Sequence, residues 1–232
     1  MKIIAIVQAR YGSSRLRGKA MMPLSGGRPM LYHVLRRALA IDGVDRVVLA
    51  TSFADFDAQL CWVASDLGVG SVRGDERDVL GRFVAIIEEF KPDAVMRLTG
   101  DCPLLAPDVC GRVLSAYATV PHMGYVSNDT TCSGYPDGFD CEVVAASLLR
   151  SAAVGASSAD REHVTAGIRR AYGTPEAVVR PSTPILPGAK LSVDTFEDFE
   201  RVRRIYGHLD DGDASSAATV AAYRRAFPSG VE

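Results

Sequence analysis

The segment from Lys2 to Lys19 reads KIIAIVQARYGSSRLRGK, and it determines how the rest of the chain is interpreted. Residues 2–8 are mostly apolar and β-branched, which is typical of a strand that is buried on both faces of a parallel sheet. The residues that follow are small and flexible, and they include four cations, which are Arg10, Arg15, Arg17 and Lys19. A strand that leads directly into a basic, glycine-rich loop predicts an anion-binding loop at the carboxyl edge of the sheet.

The remaining sequence alternates strands with helices. Further strands are predicted at 45–52, 69–72, 93–100 and 189–195. Helices are predicted at 29–39, 54–67, 107–118, 157–172, 196–206 and 217–226, with another ending at Phe90 and with Ser158 capping the helix at 157–172. This alternation predicts one α/β domain over residues 1–232, with a mostly parallel central sheet covered on both faces. Residues 121–188 contain more turn-forming residues and are interpreted as an excursion from that domain.

Composition indicates which class of ligand and which cellular compartment fit the sequence. The chain has 232 residues, of which 47% are hydrophobic, and its formal net charge is −2. No acidic residue precedes Asp42, so the basic charge is concentrated near the first loop, which favours a small anionic ligand over a nucleic acid. Five cysteines without a C-x-x-C pair argue against a disulfide framework or zinc site and indicate a reducing, cytoplasmic environment. No apolar run reaches membrane-spanning length, and the first segment is interpreted as a strand, so we expect neither a signal peptide nor a membrane partner.

The first loop has the residue types that bind phosphate. Gly12 and Gly18 permit backbone conformations in which N–H groups face phosphate oxygens, and Ser13 adds a hydroxyl donor. Arginine grips phosphate through two N–H groups and Lys19 adds a compact charge, so a triphosphate is the predicted ligand. A P-loop is excluded because five residues separate Gly12 from Gly18 and because Ala20 stands where that motif needs a hydroxyl. The loop also lacks the dinucleotide-binding pattern G-x-G-x-x-G. The alternative to a phosphate-binding loop is a basic loop that is exposed to solvent and binds no ligand.

Two aspartates each follow a predicted strand. Asp101 lies in RLTGDCPLL (97–105), and Asp194 lies in LSVDTFEDFE (191–200). Mg²⁺ commonly takes one or two protein carboxylates and completes its shell with phosphate oxygens and water, so the pair predicts a magnesium site beside the phosphate loop. The alternatives are that Asp101 caps its own turn, and that Asp194 or Thr195 caps the helix that follows.

Three further polar segments are candidates for substrate binding. YPDGFDCEV (135–143) carries the carboxylates Asp137, Asp140 and Glu142, and REHVT (161–165) carries Arg161 and His163. Strand alternation would put Asp140 and Glu142 on one face, where they can hold acceptor hydroxyls, although a solvated hairpin edge explains them equally well. Arg161 and His163 can meet an anionic acceptor or lie on a surface helix face. RGDERD (73–78) either shapes the nucleotide pocket or is a solvated loop.

Seven segments, taken in order, carry a resemblance to a known family. They are VQARYGSSRLRGK (7–19), VVLATS (47–52), RGDERDVLGRF (73–83), RLTGDCPLL (97–105), YPDGFDCEV (135–143), REHVT (161–165) and SVDTFEDFE (192–200). Together they resemble the cytidylyltransferases typified by spore-coat polysaccharide biosynthesis proteins, which are related to the enzymes that make CMP-activated acidic sugars. The resemblance implies a Rossmann-like three-layer α/β/α nucleotide-diphospho-sugar transferase fold. It also implies a homodimer that uses CTP, Mg²⁺ and an anionic acceptor and releases pyrophosphate.

The resemblance also suggests roles for individual residues. The predicted nucleotide-binding residues are Ala9, Arg10, Gly12, Ser13, Arg15, Lys19, Arg73, Asp78 and Gly100, and the predicted catalytic residues are Lys19, Arg10, Arg15 and Asp101. Asp101 and Asp194 match the magnesium ligands, and the acceptor is expected to meet Asp137, Asp140, Glu142, Arg161 and His163. Arg17 stands where the family usually has proline in R-L-P-G-K, and this departure is expected to loosen the loop.

Two other functions stay open from the sequence. A glycosyltransferase that uses a nucleotide-sugar often carries a D-x-D metal motif after a strand, whereas Gly100-Asp101-Cys102-Pro103 supplies one carboxylate. A nucleotide-binding protein without catalytic activity would retain the phosphate loop but release no pyrophosphate.

Overall fold

The computed structural model of the chain describes residues 1–119, 124–210 and 212–228. Its strands are β1 (Ile3–Gln8), β2 (Arg46–Ser52), β3 (Gly70–Gly74), β4 (Ala94–Thr99), β5 (Tyr125–Ser127) and β6 (Glu142–Ala145). They form one six-stranded sheet in the order β3-β2-β1-β4-β6-β5. The first four strands are parallel, and β6 runs antiparallel to both β4 and β5. The predicted mostly parallel sheet is therefore confirmed, and β1 lies near its centre.

Helices cover both faces of this sheet. They are α1 (Met30–Leu39), α2 (Ala58–Asp66), α3 (Val79–Phe90), α4 (Pro107–Thr119), α5 (Ala146–Ala153), α6 (Ser158–His163), α7 (Ala166–Tyr172), α8 (Phe196–Tyr206) and α9 (Ser216–Ala226). No helix in the described ranges is both long and apolar enough to cross a membrane.

The side chains of β1 alternate between two hydrophobic cores, as the period of a strand requires. Ala5 and Val7 pack with residues of α1, α2 and α4 on one face. Ile4 and Ile6 pack with residues of α3, α5 and α7 on the other face. This arrangement gives three layers, helix on sheet on helix, and it fixes the carboxyl end of β1 at one edge of the domain.

The prediction of a strand at 189–195 is wrong. The segment lies outside the six-stranded sheet and makes one isolated bridge, between Lys190 and Asp137. The edge of β4 that such a strand would need is occupied by β6. The segment passes across the end of β4 instead, where the Val193 N–H donates to the Asp101 carbonyl at 2.8 Å. Its buried Leu191 and Val193 belong to a third core, formed with α8 and α9.

The helix predicted at 157–172 is divided in two. The break falls at Val164, which has a φ of 56° and separates α6 from α7. The cap of α6 is Ser157 rather than the predicted Ser158, since the Ser157 hydroxyl accepts from the Asp160 N–H at 3.2 Å. Asp140 precedes β6 rather than lying within it, so strand alternation does not relate it to Glu142.

The predicted excursion at 121–188 contributes β5 and β6 to the main sheet. Residues 121–123 of that segment lie outside the described ranges. The division of the chain into a single domain with an acceptor-binding or dimerising excursion stays a prediction.

Candidate active site

A polar cleft lies where β1 and β4 end, at the carboxyl edge of the sheet. Its main cavity has a volume of about 290 Å³. The wall carries four cations, which are Arg10, Arg15, Lys19 and Arg82, and three carboxylates, which are Asp101, Glu162 and Asp194. Its position agrees with the rule that ligands of parallel sheets bind beyond the carboxyl ends of the strands.

Lys19 joins the basic loop to the two predicted metal ligands. Its Nζ donates to the Val193 carbonyl at 2.6 Å, to Asp101 Oδ2 at 3.1 Å and to Asp194 Oδ1 at 3.3 Å. Only 12% of the Lys19 side chain is exposed, so these charges interact in a partly dehydrated environment. The structure thus brings together three predicted site residues that are separated by up to 175 positions in the sequence.

Asp194 is free to face the cleft because a neighbouring residue caps α8. The Thr195 hydroxyl accepts from the Asp198 N–H, and the Asp198 carboxylate accepts from the Thr195 N–H, which together form a capping box. Asp194 Oδ1 accepts from Arg15 Nη2 at 2.7 Å, and Asp194 Oδ2 accepts from Lys190 Nζ at 3.1 Å. Burial alone would raise the pKa of Asp194, but the Lys190 hydrogen bond and the Lys19 charge outweigh it and lower that pKa. Asp194 is therefore ionised at neutral pH.

Asp101 and Asp194 have the donor chemistry that a magnesium ion prefers. Both are carboxylates that reach the cavity, and Mg²⁺ readily binds through two such groups plus phosphate oxygens and water. Within the described ranges, no cluster of three or more His, Cys, Asp and Glu side chains forms a complete metal cage. The Lys19 ammonium group contacts both carboxylates, so it would compete with a divalent cation for their oxygens.

Gly100 allows the ends of β1 and β4 to approach each other closely. Its N–H donates to the Gln8 carbonyl at 2.8 Å. A Cβ atom at this position would come within 2.6 Å of the Ala9 Cβ. Ala9 and Gly100 therefore form the back wall of the cavity, and a side chain at position 100 would push Asp101 out of place.

Arg82 belongs to the cavity although the sequence analysis did not select it. It lies one turn into α3 and is 3% exposed, and its Nε and Nη1 atoms lack a hydrogen-bond partner among the described residues. Burial lowers the pKa of its guanidinium group. The signal in the sequence is helical spacing, because positions 79, 82, 83 and 86 share the buried face of α3 and a cation on such a face needs a partner.

Some predicted nucleotide-binding residues hold the protein framework instead of lining the main cavity. Arg73 donates to the carbonyls of Ser52 and Ala54 at 2.8 and 3.0 Å. Asp78 caps α3 by accepting from the Gly81 N–H at 2.9 Å, and it also accepts from Arg161 at 2.7 Å. Arg73 and Asp78, which were predicted to bind the nucleotide, and Arg161, which was predicted to bind the acceptor, therefore make contacts within the protein framework.

A second, smaller cavity of about 40 Å³ shares Thr99 with the first. Glu142 lies in its wall and is 5% exposed. Its carboxylate accepts from Arg97, from Arg169 at 3.2 Å, from the Tyr125 hydroxyl at 2.7 Å and from the Thr165 hydroxyl at 2.7 Å. Burial would raise the pKa of Glu142, but the two arginines outweigh it and the pKa is lowered. Since four groups already occupy its oxygens, Glu142 orients the two arginines rather than offering a free acceptor.

The remaining predicted acceptor residues lie in different surroundings. Asp140 lines the second cavity and accepts from the Thr130 hydroxyl at 2.6 Å, and burial raises the pKa of its carboxyl group. Asp137 is exposed, accepts from the Ser192 hydroxyl at 3.0 Å and lies outside both cavities. His163 is exposed in the wall of the main cavity. The structure therefore places Asp140 and His163 in different cavities and leaves Asp137 outside.

The turn at Val164 places its two neighbours in different surroundings. Val164 has φ 56° and ψ −63°, and the Thr165 N–H donates to the His163 carbonyl at 2.6 Å, which together define a γ-turn. A β-branched residue in this region is strained by about 1–3 kcal/mol, and such strain concentrates at functional sites. The turn places His163 at the main cavity and lets the Thr165 hydroxyl reach Glu142.

Comparison with known proteins agrees with this geometry. A profile of the family described as cytidylyltransferase matches residues 4–135. The spore coat polysaccharide biosynthesis protein SpsF of Bacillus subtilis is 35% identical over 228 residues, which covers 94% of this chain and 93% of the relative. Among solved structures, a cytidylyltransferase from Leptospira borgpetersenii superimposes with a TM-score of 0.87 at 23% identity, covering 97% of this chain and 94% of the other.

A second solved structure is a CMP:2-keto-3-deoxy-manno-octonic acid synthetase complexed with CTP. It superimposes with a TM-score of 0.67 at 18% identity, covering 89% of this chain and 99% of the other. At these identities the two structures establish a common fold, whereas the sequence match to SpsF and the profile establish the family. The chain is therefore a nucleotidyltransferase that belongs to the cytidylyltransferase family.

Proposed function

We propose that the protein transfers CMP from CTP to a small anionic acceptor and releases pyrophosphate, with Mg²⁺ as cofactor. The observation that carries this proposal is the main cavity, where four cations face Asp101 and Asp194 at the end of β1. A triphosphate needs concentrated positive charge, and a nucleotidyltransferase needs carboxylates beside it for a metal ion. The acceptor class is an acidic sugar, a sugar phosphate or a phosphonate.

The cations of the cleft would hold the triphosphate. Lys19, Arg15 and Arg10 come from the loop after β1, and Arg82 comes from α3 on another side of the cavity. Arg82 has two nitrogen atoms, Nε and Nη1, without a partner among the described residues, and charge-assisted hydrogen bonds to phosphate would satisfy them. These cations would also stabilise the pyrophosphate as it leaves, because phosphoryl transfer depends mainly on positioning and charge neutralisation.

Asp101 and Asp194 would hold the magnesium ion in this proposal. When bound, Mg²⁺ would neutralise charge on the phosphates of the nucleotide. The arrangement supports an exchange of partners at Lys19, whose ammonium group contacts both carboxylates. With a nucleotide present, the same ammonium group would move to a phosphate oxygen.

The anionic group of the acceptor would bind at the second cavity, which shares Thr99 with the first. Arg169 lines this cavity with nearly half of its side chain exposed, so it can bind an anionic group while Glu142 orients it. Asp140 can accept hydrogen bonds from acceptor hydroxyls. An acceptor oxygen would form a bond to the α-phosphorus as the bond from that phosphorus to pyrophosphate breaks. His163 is the histidine in the cavity wall, and it can take up a proton from an attacking hydroxyl.

The proposal is tested by pyrophosphate release from CTP, UTP, ATP and GTP against a panel of anionic acceptors. We expect release from CTP that needs both an acceptor and Mg²⁺, and loss of that release in Lys19→Met. Trp62→Leu is the matched control, because Trp62 is 69% exposed on α2 and lies outside both cavities. Transfer from a UDP-sugar without CTP turnover would identify a glycosyltransferase instead. CTP binding without turnover across the panel would favour a nucleotide-binding protein without catalytic activity.

We also propose that the protein acts as a cytoplasmic homodimer. Light scattering of the purified chain would give a mass near twice 24.8 kDa. A mass equal to one chain at micromolar concentration would contradict the dimer.

A further inference from the structure

We infer that Tyr11, Phe56 and Arg17 form a clasp on the protein surface that holds the anion-binding loop in its closed shape. In the proposed function, these three side chains are positioning residues for CTP. The observation that prompts the inference is Phe56, an aromatic side chain that is 53% exposed beside the active-site cleft. Phe56 does not line the main cavity, and it belongs to none of the three hydrophobic cores.

The loop between Tyr11 and Gly18 closes on itself at its base. The Gly18 N–H donates to the Tyr11 carbonyl at 2.9 Å. Gly18 has a φ of 77° and is buried, and a Cβ atom there would lie 2.9 Å from Tyr11 Cζ. The tyrosine ring therefore covers Gly18, and only glycine fits both the backbone conformation and the space beneath the ring.

Phe56 links the two ends of this closed loop. Its ring stacks on the Tyr11 ring with centroids 5.2 Å apart and an interplanar angle of 21°. The Arg17 guanidinium lies over the Phe56 ring at 5.8 Å from the centroid, which is within the range of a cation–π interaction. Tyr11 begins the loop and Arg17 ends it, so separating the two ends would require breaking contacts with Phe56.

Asp57 attaches the clasp to the sheet. It is 1% exposed and follows Phe56 in the single helical turn Asp55–Asp57. Its carboxylate accepts from the Tyr11 N–H at 2.7 Å and from the hydroxyls of Thr51 and Ser52, at the end of β2, at 3.0 and 2.6 Å. Phe56 is thus held by a buried network at the end of a central strand, and the loop takes its shape from that fixed point.

The shape of the loop sets the position of the cations that would meet the triphosphate. Arg15 lies within the loop and contacts Asp194 at 2.7 Å, and Lys19 follows Gly18 directly. Arg17 was predicted to loosen the loop, whereas its stacking on Phe56 fastens the end of the loop. Loss of the clasp would therefore weaken CTP binding and would have a smaller effect on the rate of the chemical step.

Limited trypsin digestion tests the clasp without reference to CTP. Trypsin can cleave after Arg15, Arg17 and Lys19, and Phe56→Leu preserves all three sites. We expect Phe56→Leu to be cleaved in this loop about fivefold to tenfold faster than the wild type, and Phe56→Tyr to behave as the wild type. Trp62→Leu controls for loss of an exposed aromatic side chain and should leave loop cleavage unchanged. Thermal melting of each variant identifies any general loss of stability.

Titration with CTP then connects the clasp to the proposed function. Phe56→Leu and Arg17→Gln should each weaken CTP binding about threefold to tenfold with kcat nearly unchanged, and the double variant should be little worse than either single one. Loop cleavage at the wild-type rate in Phe56→Leu would overturn the clasp. Faster cleavage with unchanged CTP affinity would overturn the positioning role. If the wild type itself does not bind CTP, the proposed function fails, while the digestion result still decides the clasp.

Discussion

The Lys19 ammonium group lies 3.1 Å from the Asp101 carboxylate, so one predicted phosphate ligand neutralises one predicted metal ligand. The same group lies 3.3 Å from Asp194. Two carboxylates that face the same cavity would repel each other without a cation between them. Lys19 therefore stabilises the pair of carboxylates and would compete with a metal ion for them.

Replacement of Lys19 by Met should affect metal and nucleotide binding in opposite directions. Without the ammonium group, Mn²⁺ alone should bind about tenfold more tightly, whereas CTP should bind at least tenfold more weakly. Electron paramagnetic resonance of free Mn²⁺ measures the first effect, and calorimetric titration with CTP measures the second. Weaker Mn²⁺ binding in Lys19→Met would show that Asp101 and Asp194 do not form the metal site.

Replacement of Arg82 by Met should weaken CTP binding without lowering the melting temperature. Arg82 is buried with unpaired N–H groups, so removal of its charge should leave the melting temperature unchanged or higher. The same change should weaken CTP binding about tenfold to hundredfold, because it removes charge-assisted hydrogen bonds to the triphosphate.

Arg112→Met provides the matched control for Arg82, since Arg112 is exposed and pairs weakly with Asp108 at 4.0 Å. Its CTP affinity should equal that of the wild type. A lower melting temperature for Arg82→Met with unchanged CTP affinity would assign Arg82 a structural role.

The sequence predicted the order of the elements around the first loop because buried parallel strands have a distinctive composition. The strand prediction failed at 189–195. Leu191 and Val193 alternate as in a strand, but the alternation arises because both side chains pack against α8 and α9. The sequence grouped Lys19, Asp101 and Asp194 correctly at one edge of the sheet. It missed Arg82, since the absence of a partner for a buried cation becomes visible only once the fold is known.

The role of Glu142 was also not evident from the sequence. Its four partners come from β4, β5, α7 and the turn before α7, and nothing in YPDGFDCEV indicates them. The sequence predicted that Glu142 binds the acceptor, whereas its buried and fully paired carboxylate supports Arg97 and Arg169.

Replacement of Glu142 by Gln should destabilise the fold and weaken acceptor binding. It would leave Arg97 without its charged partner, so we expect a loss of about 3 kcal/mol in the free energy of unfolding, measured by urea denaturation. Glu88→Gln removes a more exposed pair with Arg150 and should cost less than about 1 kcal/mol.

The pH dependence gives a second measure of the same group. The pKa of Glu142 is lower in the folded state than its ordinary value, so its contribution is complete above that ordinary value and is lost as the pH falls. The stability difference between the wild type and Glu142→Gln should therefore shrink on acidification. A difference that stays constant below pH 4 would contradict this assignment.

Replacement of His163 by Gln should lower kcat for a hydroxyl acceptor at least about tenfold and leave CTP affinity unchanged. The reason is that the Val164 turn directs His163 to the cavity wall, near where the acceptor would meet the nucleotide. His208→Gln is the control, because His208 is exposed near the end of α8 and lies outside both cavities. Equal kinetics for His163→Gln and the control would remove His163 from the site.

The most direct test of the central claim is a crystal structure of the protein grown with CTP and Mn²⁺, with the metal located by anomalous scattering. We predict an anomalous peak bound by Asp101 and Asp194. We also predict that the triphosphate lies against Lys19 and Arg82 and that the Lys19 ammonium group has moved from the carboxylates to a phosphate oxygen. Triphosphate density outside the main cavity, or manganese bound away from both aspartates, would contradict the account.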